Sequence, residues 1–263
     1  MPKNYHCRAL TCITACLTAL LFSLSNVAAA EVKLVLQPAK NGIEKRINKR
    51  LATSPTIINA IKFLNDTFIT PTDITLAFGS YEKIWYEHHE IQIPYQFIQN
   101  IREGYNNTRI PHRFAEIDEF TGNTLFHVIF HEMAHALIEQ YRLPVIGREE
   151  DAADSLADVL LIYFFEAGDQ IVISAADLFY INSVHEGRLT KEDYWADHSL
   201  DKQRYYARIC HAYGSNPTEH ASLKQRVQFT DERAKRCIRQ YREVERSWLT
   251  LLKPALKNSQ ATQ

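Results

Sequence analysis

One stretch of the sequence, LFHVIFHEMAHALI at residues 125–138, constrains the fold more than any other. Its apolar side chains would lie on nearly every side of a helix, and a helix of that kind is buried in a protein core. The same stretch contains His131, Glu132 and His135, and burying such polar groups costs free energy unless each has a partner. The fold must therefore enclose this helix and supply its polar groups with a compensating charge.

The spacing of the two histidines indicates a metal ion as that partner. His131 and His135 are four residues apart, so on a helix their imidazoles lie one turn apart on the same face and can bind one ion. Glu132 projects about 100° around the helix, which places its carboxylate beside the ion as a general base for a bound water. This H-E-x-x-H pattern is typical of zinc peptidases and predicts one Zn²⁺ per chain. His127 extends the row, but three histidines span about 12 Å, so we predict a supporting or core role for it.

A catalytic zinc ion usually has a third protein ligand, and the next acidic run can supply one. Residues 148–158 read REEDAADSLAD and follow a short turn, so the second helix should return antiparallel to the first. Glu150 and Asp154 would share a face of that helix. We predict Glu150 as the third ligand and Asp154 as the acceptor for the outer N–H of a metal-bound histidine, with Glu149 or Asp154 as the substitute ligand. For Glu149 and Asp151 the helix dipole accounts for an acidic first turn.

The predicted secondary structure indicates an α+β fold. A small N-terminal sheet is followed by a region that is almost entirely helical, and we expect residues 31–263 to form one domain. Strands are predicted at residues 32–36 and 74–78 and a hairpin within residues 83–94. Helices are predicted at residues 43–51, 56–68, 95–103, 121–141, 149–166, 175–183, 199–213 and 230–252.

The first thirty residues have the pattern of a secretory signal peptide. Lys3 and Arg8 precede an apolar run at residues 9–24, and an A-x-A segment ends at Ala30. This pattern predicts cleavage after Ala30 and a periplasmic or secreted protein with no remaining transmembrane span. A retained membrane anchor is one alternative. Lipidation of Cys16 is another, although a lipoprotein would normally turn polar where this apolar run continues.

Charge and cysteine content restrict the partners and the compartment further. The 30 basic and 31 acidic residues give a formal net charge of -1, which provides no electrostatic reason to expect a nucleic-acid partner, although a local basic patch could still exist. Removal of the leader leaves only Cys210 and Cys237. They can form one disulfide bond or remain two buried thiols, and an oxidising compartment favours the bond.

The segment after residue 196 offers donors for the oxyanion that forms during amide hydrolysis. His198, Arg204 and Tyr205 are the candidates, and Asp197 could orient His198. The alternative is the polar start of a helix, with Asp197 or Ser199 as its cap and Arg204 in solvent. We select His198 as the candidate donor.

Together, these residues resemble a known group of enzymes. HEMAH followed by EDAAD is similar to the gluzincins, thermolysin-type zinc peptidases whose second helix carries an E-x-x-x-D element. More specifically, the chain resembles a family of exported bacterial proteins of unknown function described as zinc metallopeptidases. That resemblance rests on GREEDAAD, DHSLD with QRYY, YGSNP, and the closing segment at residues 233–256. It implies a zincin-like fold and hydrolysis of peptides or proteins, without indicating which ones.

The hypothesis from the sequence is therefore a zinc-dependent peptidase. Its roles are metal binding by His131, His135 and Glu150, general base catalysis by Glu132, ligand orientation by Asp154 and transition-state donation by His198. One alternative is a catalytically inactive, zinc-containing binding or scaffold protein of the envelope, and another is a periplasmic metal-handling protein. An open fourth position on the metal would distinguish the enzyme from a closed structural site.

Overall fold

The computed structural model of the chain describes residues 30–110 and 115–257. The predicted leader, apart from Ala30, and the alternative lipidation site Cys16 lie outside these residues. Within them, a small sheet near the N-terminus precedes a mainly helical region, which confirms the predicted α+β class. No helix of this described part is both long enough and apolar enough to cross a membrane.

The sheet has four strands in the spatial order β1, β2, β4, β3. Its central strand, β2, pairs in parallel with β1 and β4, whereas β3 pairs antiparallel with β4 and forms an edge. The hairpin prediction is confirmed, but a parallel pairing cannot be inferred from local alternation, because it depends on how the intervening chain crosses over. The strands are β1 Val32–Leu36, β2 Ile74–Gly79, β3 Trp85–Glu87 and β4 Glu90–Pro94.

Ten α-helices are present in the described part of the chain, and a short 3-10 helix, Lys253–Ala255, follows the last of them. The sequence pattern predicts eight of them and misses α7 and α9, which are too short to show a helical period. Helices α1 and α2 connect β1 to β2, and the others follow the sheet. The helices are α1 Gly42–Leu51, α2 Pro55–Thr67, α3 Tyr95–Asn107, α4 Ile117–Tyr141, α5 Glu149–Phe164, α6 Gly168–His185, α7 Lys191–Trp195, α8 Asp201–Ser215, α9 Ala221–Arg226 and α10 Asp231–Leu252.

Helix α4 lies at the centre of the fold. It packs against α2, α3, α5 and α6 and also contacts β3 and β4. Phe130, Met133 and Ala134 are fully buried although they point in different directions around the helix. The expectation that this helix is enclosed on nearly every side is therefore confirmed. Its buried length is what brings His131 and His135 into the protein interior.

Helices α8 and α10 are joined by the disulfide bond that the sequence favours. Cys210 on α8 and Cys237 on α10 are bonded, with their Cα atoms 5.0 Å apart. The two helices approach closely beside the bond, where a Cβ on Gly214 would lie only 2.5 Å from the carbonyl oxygen of Cys237. Glycine at this position therefore allows α10 to pack directly on α8, the helix that carries several of the site residues described below.

Replacing Cys210 and Cys237 together by serine should lower the free energy of unfolding by about 3 to 4 kcal/mol, because the bond restricts the unfolded chain. The two cysteines are 27 residues apart. Denaturant unfolding of the double variant under non-reducing conditions measures the effect, and the reduced native chain should match the variant. Equal stability of the variant and the oxidised protein would contradict the prediction.

Candidate metal centre and active-site cleft

Three side chains from α4 and α5 converge on one point. His131 Nε2 lies 3.2 Å from Glu150 Oε2, His135 Nε2 lies 3.3 Å from the same oxygen, and the two histidine nitrogens are 3.3 Å apart. The turn between the helices contains Gly147 at a φ of 111°, a conformation that favours glycine. This turn returns α5 against α4, so Glu150 in its first turn meets the histidine row.

The spacing of these three atoms fits a metal ion. A tetrahedral zinc site with ligand bonds of about 2.0 to 2.1 Å has neighbouring ligand atoms about 3.3 Å apart. The triangle formed by His131, His135 and Glu150 has edges of 3.2 to 3.3 Å. Two imidazole nitrogens and one carboxylate oxygen also form a donor set that Zn²⁺ accepts. These residues could therefore hold such an ion without a change in the backbone.

The outer nitrogens of both imidazoles face carboxylates. His131 Nδ1 lies 2.9 Å from Asp154 Oδ1, a close contact that is bent away from a straight hydrogen bond. His135 Nδ1 lies 2.8 Å from Glu149 Oε1. Carboxylates in such positions orient an imidazole and increase its basicity toward a metal. The prediction of an Asp154 contact agrees with this geometry. Glu149, for which the sequence suggested a helix-dipole role or that of a substitute ligand, faces the outer nitrogen of His135.

The charges of the site favour a cation at this point. Burial by itself would raise the pKa of Glu150, but hydrogen bonds with His131, His135 and His198 outweigh it and hold the pKa well below its ordinary range. Burial would likewise lower the pKa of His131, yet contacts with Asp154 and Glu150 raise it to about 9. The first shift keeps Glu150 ionised, and the second shows that carboxylates surround His131 closely enough to stabilise a positive charge there.

Glu132 lies beside the triangle rather than in it. Its side chain is buried and lines the same cleft as the three converging residues. Burial raises its pKa, and the nearby His131 and His135 oppose that rise. A carboxylate whose proton affinity is increased in this way is suited to accept a proton during a reaction near neutral pH. The position agrees with the sequence prediction that Glu132 lies beside the metal site.

Two arginines on α8 hold Asp154 in place. Arg204 binds both carboxylate oxygens of Asp154 at 2.8 and 2.9 Å, and Arg208 Nη1 lies 2.6 Å from Oδ2. Burial would raise the pKa of Asp154, but the two guanidinium groups, joined by His131, keep it well below its ordinary value. The interpretation of Arg204 as solvated was therefore wrong. Its Nε and Nη2 are committed to Asp154, so its main role in this geometry is to hold that carboxylate.

A second aspartate extends this buried network one turn deeper. Asp158 accepts from Arg208 Nε at 2.8 Å and lies 2.9 Å from His127 Nε2 and 2.7 Å from His211 Nδ1. The core role predicted for His127 agrees with this contact. Sequence reasoning missed Arg208 and His211, although Arg204, Arg208 and His211 recur on one face of α8 just as Asp154 and Asp158 do on α5.

His198 reaches the site from a segment that we call the strap, residues 186–200 including α7. Its Nε2 lies 2.8 Å from Glu150 Oε2, and its side chain is 49% exposed. The strap is fastened by Arg148, which donates to the carbonyl oxygens of Tyr194 and His198, each at 3.2 Å. Ser199 adds a hydrogen bond of 2.9 Å to Asp151. The structure thus brings His198 to the cleft, and Arg148 is a positioning residue that the sequence did not reveal.

Of the other two candidates, Tyr205 is buried in a group of aromatic rings with Tyr180 and Tyr206. It packs in the core and does not line the cleft. The cleft itself has a volume of about 980 Å³ and is bounded by β3, α4, α5, α6 and the strap. Because the triangle of ligand atoms opens into this volume, a substrate could approach an ion that is held there.

Replacing Arg208 by glutamine should lower the free energy of unfolding by about 3 to 5 kcal/mol, because it leaves buried carboxylates without their partner. Denaturant unfolding measures the loss. The exposed Arg239 on α10 provides a control, since its replacement by glutamine should change stability by less than about 0.5 kcal/mol. Similar losses in the two variants would contradict the stabilising role of the network.

The network also predicts how stability depends on pH. Burial would raise the pKa of Asp158, but Arg208, His127 and His211 lower it below its ordinary value of 3.8. A lowered folded-state pKa stabilises the protein at pH values above 3.8, and this contribution is lost as the pH falls. Arg208→Gln should therefore reduce the dependence of stability on pH in the acidic range, as measured by unfolding at several pH values.

Comparison with known proteins adds one finding. The sequence model of a protein family described as "Putative metallopeptidase" matches residues 36–252. This range contains all the residues of the candidate metal centre and the buried network. Neither a curated protein nor a solved structure matches the chain. The description implies an enzyme that uses a metal ion and acts on peptides or proteins, and since the match covers most of the sequence, the chain belongs to this metallopeptidase family.

Proposed function

We propose that the protein is an exported zinc-dependent peptidase that uses Glu132 as its general base. The observation that carries the proposal is the triangle of His131, His135 and Glu150, whose edges of 3.2 to 3.3 Å fit zinc. Glu132 lies beside it, and both open into one cleft. The same residues also support the gluzincin-like assignment made from HEMAH and the acidic helix.

Three residues would hold the ion, and their environment keeps them ready to do so. His131 and His135 are oriented by Asp154 and Glu149, so the Nε2 atoms are left for the metal. Glu150 is held as a carboxylate by its histidine contacts. When bound, Zn²⁺ would supply Lewis acidity that polarises a substrate carbonyl and makes a water more acidic.

The remaining steps belong to side chains of this chain. Glu132 would accept a proton from the attacking water and return it to the leaving amine, for which its position beside the triangle is suited. His198 would donate a hydrogen bond to the oxygen on which negative charge develops. Arg148 fastens the strap by donating to the carbonyl oxygen of His198, which holds this residue at the mouth of the site. The buried network would keep Asp154, and through it His131, in one orientation.

The open cleft is what favours an enzyme over the inactive scaffold. A closed structural zinc site surrounds the ion with protein ligands, whereas the triangle here faces a volume of about 980 Å³. Export to the periplasm or the medium is proposed from the leader pattern in residues 1–30. Strand β1 begins at Val32, just beyond the expected cleavage point after Ala30.

Replacing Glu132 by glutamine should reduce peptide hydrolysis by about 10² to 10⁴-fold, because the amide cannot accept a proton from water. Zinc content should remain at one ion per chain. Turnover on a mixed peptide library, with elemental analysis of the same samples, measures both quantities. Glu119→Gln, an equivalent change at an exposed position of the same helix, should leave both unchanged. Full turnover by Glu132→Gln would contradict the mechanism.

Replacing Glu150 should weaken zinc binding more than replacing Glu149. Glu150→Gln removes a proposed ligand, whereas Glu149→Gln removes only the carboxylate behind His135, for which a loss of about 10- to 100-fold is expected. Competition with a chromophoric chelator gives both affinities. A larger loss for Glu149→Gln would assign the third ligand to Glu149 and would require α5 to shift relative to α4.

A further inference from the structure

Two exposed tryptophans stand at the mouth of the cleft. Trp85 on the edge strand β3 is 44% exposed, and Trp195 at the end of α7 is 66% exposed. Both line the cleft, Trp85 from the edge strand and Trp195 from the strap. Large apolar rings that remain this exposed do not contribute to the core. Their position in the cleft therefore indicates that they contact a molecule that binds there.

Both tryptophan rings already have a cation above them. Lys83 Nζ lies 3.5 Å from the centre of the Trp85 ring, and Lys191 Nζ lies 5.4 Å from that of Trp195. A cation within about 6 Å of a ring centre is attracted by the electron density of the ring face. Each ring is thus positioned to bind an ammonium group, and a lysine or arginine of a substrate would have to take the place of Lys83 or Lys191 or use the opposite ring face.

Each tryptophan is also followed two residues later by an exposed carboxylate of the cleft. Glu87 follows Trp85 on the same face of β3, because side chains alternate along a strand. Asp197 follows Trp195 on the strap. Both walls of the cleft therefore present the same pair of groups, one aromatic ring and one carboxylate, and this pair is suited to a lysine or arginine side chain.

Carboxylates outnumber cations among the charged side chains that line the cleft. Glu139 and Glu149 line it as well, and their carboxylates accept hydrogen bonds from Tyr86 and face His135, respectively. The opposing cations in the lining are Arg148, whose donors are engaged by backbone carbonyl oxygens of the strap, and Arg204, which binds Asp154. Lys83 and Lys191 add positive charge beside the two tryptophans. Asp154 is neutralised by the arginines of α8, and the charge of a bound Zn²⁺ would be balanced by Glu132 and Glu150.

We infer that the cleft selects cationic peptides, with Trp85, Glu87, Trp195 and Asp197 as the residues that recognise lysine or arginine side chains on either side of the scissile bond. This inference rests on the proposed function, since it names the substrate class of that site. Exposed charge pairs at a rim contribute to encounter rate and specificity and weaken as salt screens them.

The tryptophans make binding measurable without turnover. Of the three tryptophans in the chain, Trp85 and Trp195 line the cleft, whereas Trp248 is 7% exposed and donates to Ser155. Peptide binding to the zinc-loaded Glu132→Gln chain should therefore change the intrinsic fluorescence. Three peptides of equal length carry lysine, glutamine or glutamate at the same positions on both sides of one central bond.

The lysine peptide should bind about tenfold more tightly than the glutamine peptide, as expected for two or three exposed charge pairs, and the glutamate peptide should bind most weakly. The preference should shrink between about 0.05 M and about 0.5 M NaCl. Introducing Glu87→Gln and Asp197→Asn into the Glu132→Gln chain should remove most of the preference for the lysine peptide. The same charge change at Glu119 and Glu166, both exposed and outside the cleft, should preserve it.

Three results would overturn the inference: equal binding of the three peptides, no binding of the lysine peptide, or loss of the preference in the Glu119 and Glu166 control. Hydrolysis of the glutamine peptide by the native chain tests the proposed function separately. Cleavage without charge preference would keep the peptidase and reject cation selection. A clear lysine preference in binding, without cleavage of any peptide, would keep the recognition surface and reject the peptidase.

Discussion

The structure depends on the burial of a polar row within an apolar helix. His127, His131 and His135 lie on one face of α4, and the first two are almost completely enclosed. Such burial is tolerated only if opposite charges are supplied at close range. Helix α5 supplies them with Glu150, Asp154 and Asp158. Two aspartates in the interior then need cations of their own, which α8 provides through Arg204 and Arg208.

The pairing of histidines on α4 with carboxylates on α5, and of these with arginines on α8, fixes how the three helices pack around the site. Each of α4, α5 and α8 presents charged or polar residues one turn apart, and the rows interlock only if the helices pack in one register. The disulfide bond between α8 and α10 and the close contact at Gly214 hold α8 from behind. The candidate metal centre therefore lies at the surface end of a network whose deeper members are buried and held by ion pairs. Its outer face is free to meet a substrate.

Local spacing predicts much of the centre but not its support. His131 and His135, and likewise Glu150 and Asp154, could be selected because helical period brings each pair onto a shared face, and Glu132 because it projects about 100° from His131. Arg208 could not, since an arginine on a helix is usually solvated, and only its position against Asp154 and Asp158 gives it a role. The contact of Glu149 with His135 could not be predicted from the sequence either. Whether a first-turn carboxylate faces solvent or His135 depends on how α5 is rotated against α4.

The sequence by itself determined the α+β class, the enclosed helix and the residues that could bind a metal, because these follow from periods of two and 3.6 residues along the chain. Tertiary structure decided the parallel pairing of the sheet, the network that holds Asp154 and the composition of the cleft walls. Trp85 and Trp195 are 110 positions apart in the sequence. They meet in one cleft because distant segments of the chain pack together, and no local sequence pattern predicts such packing.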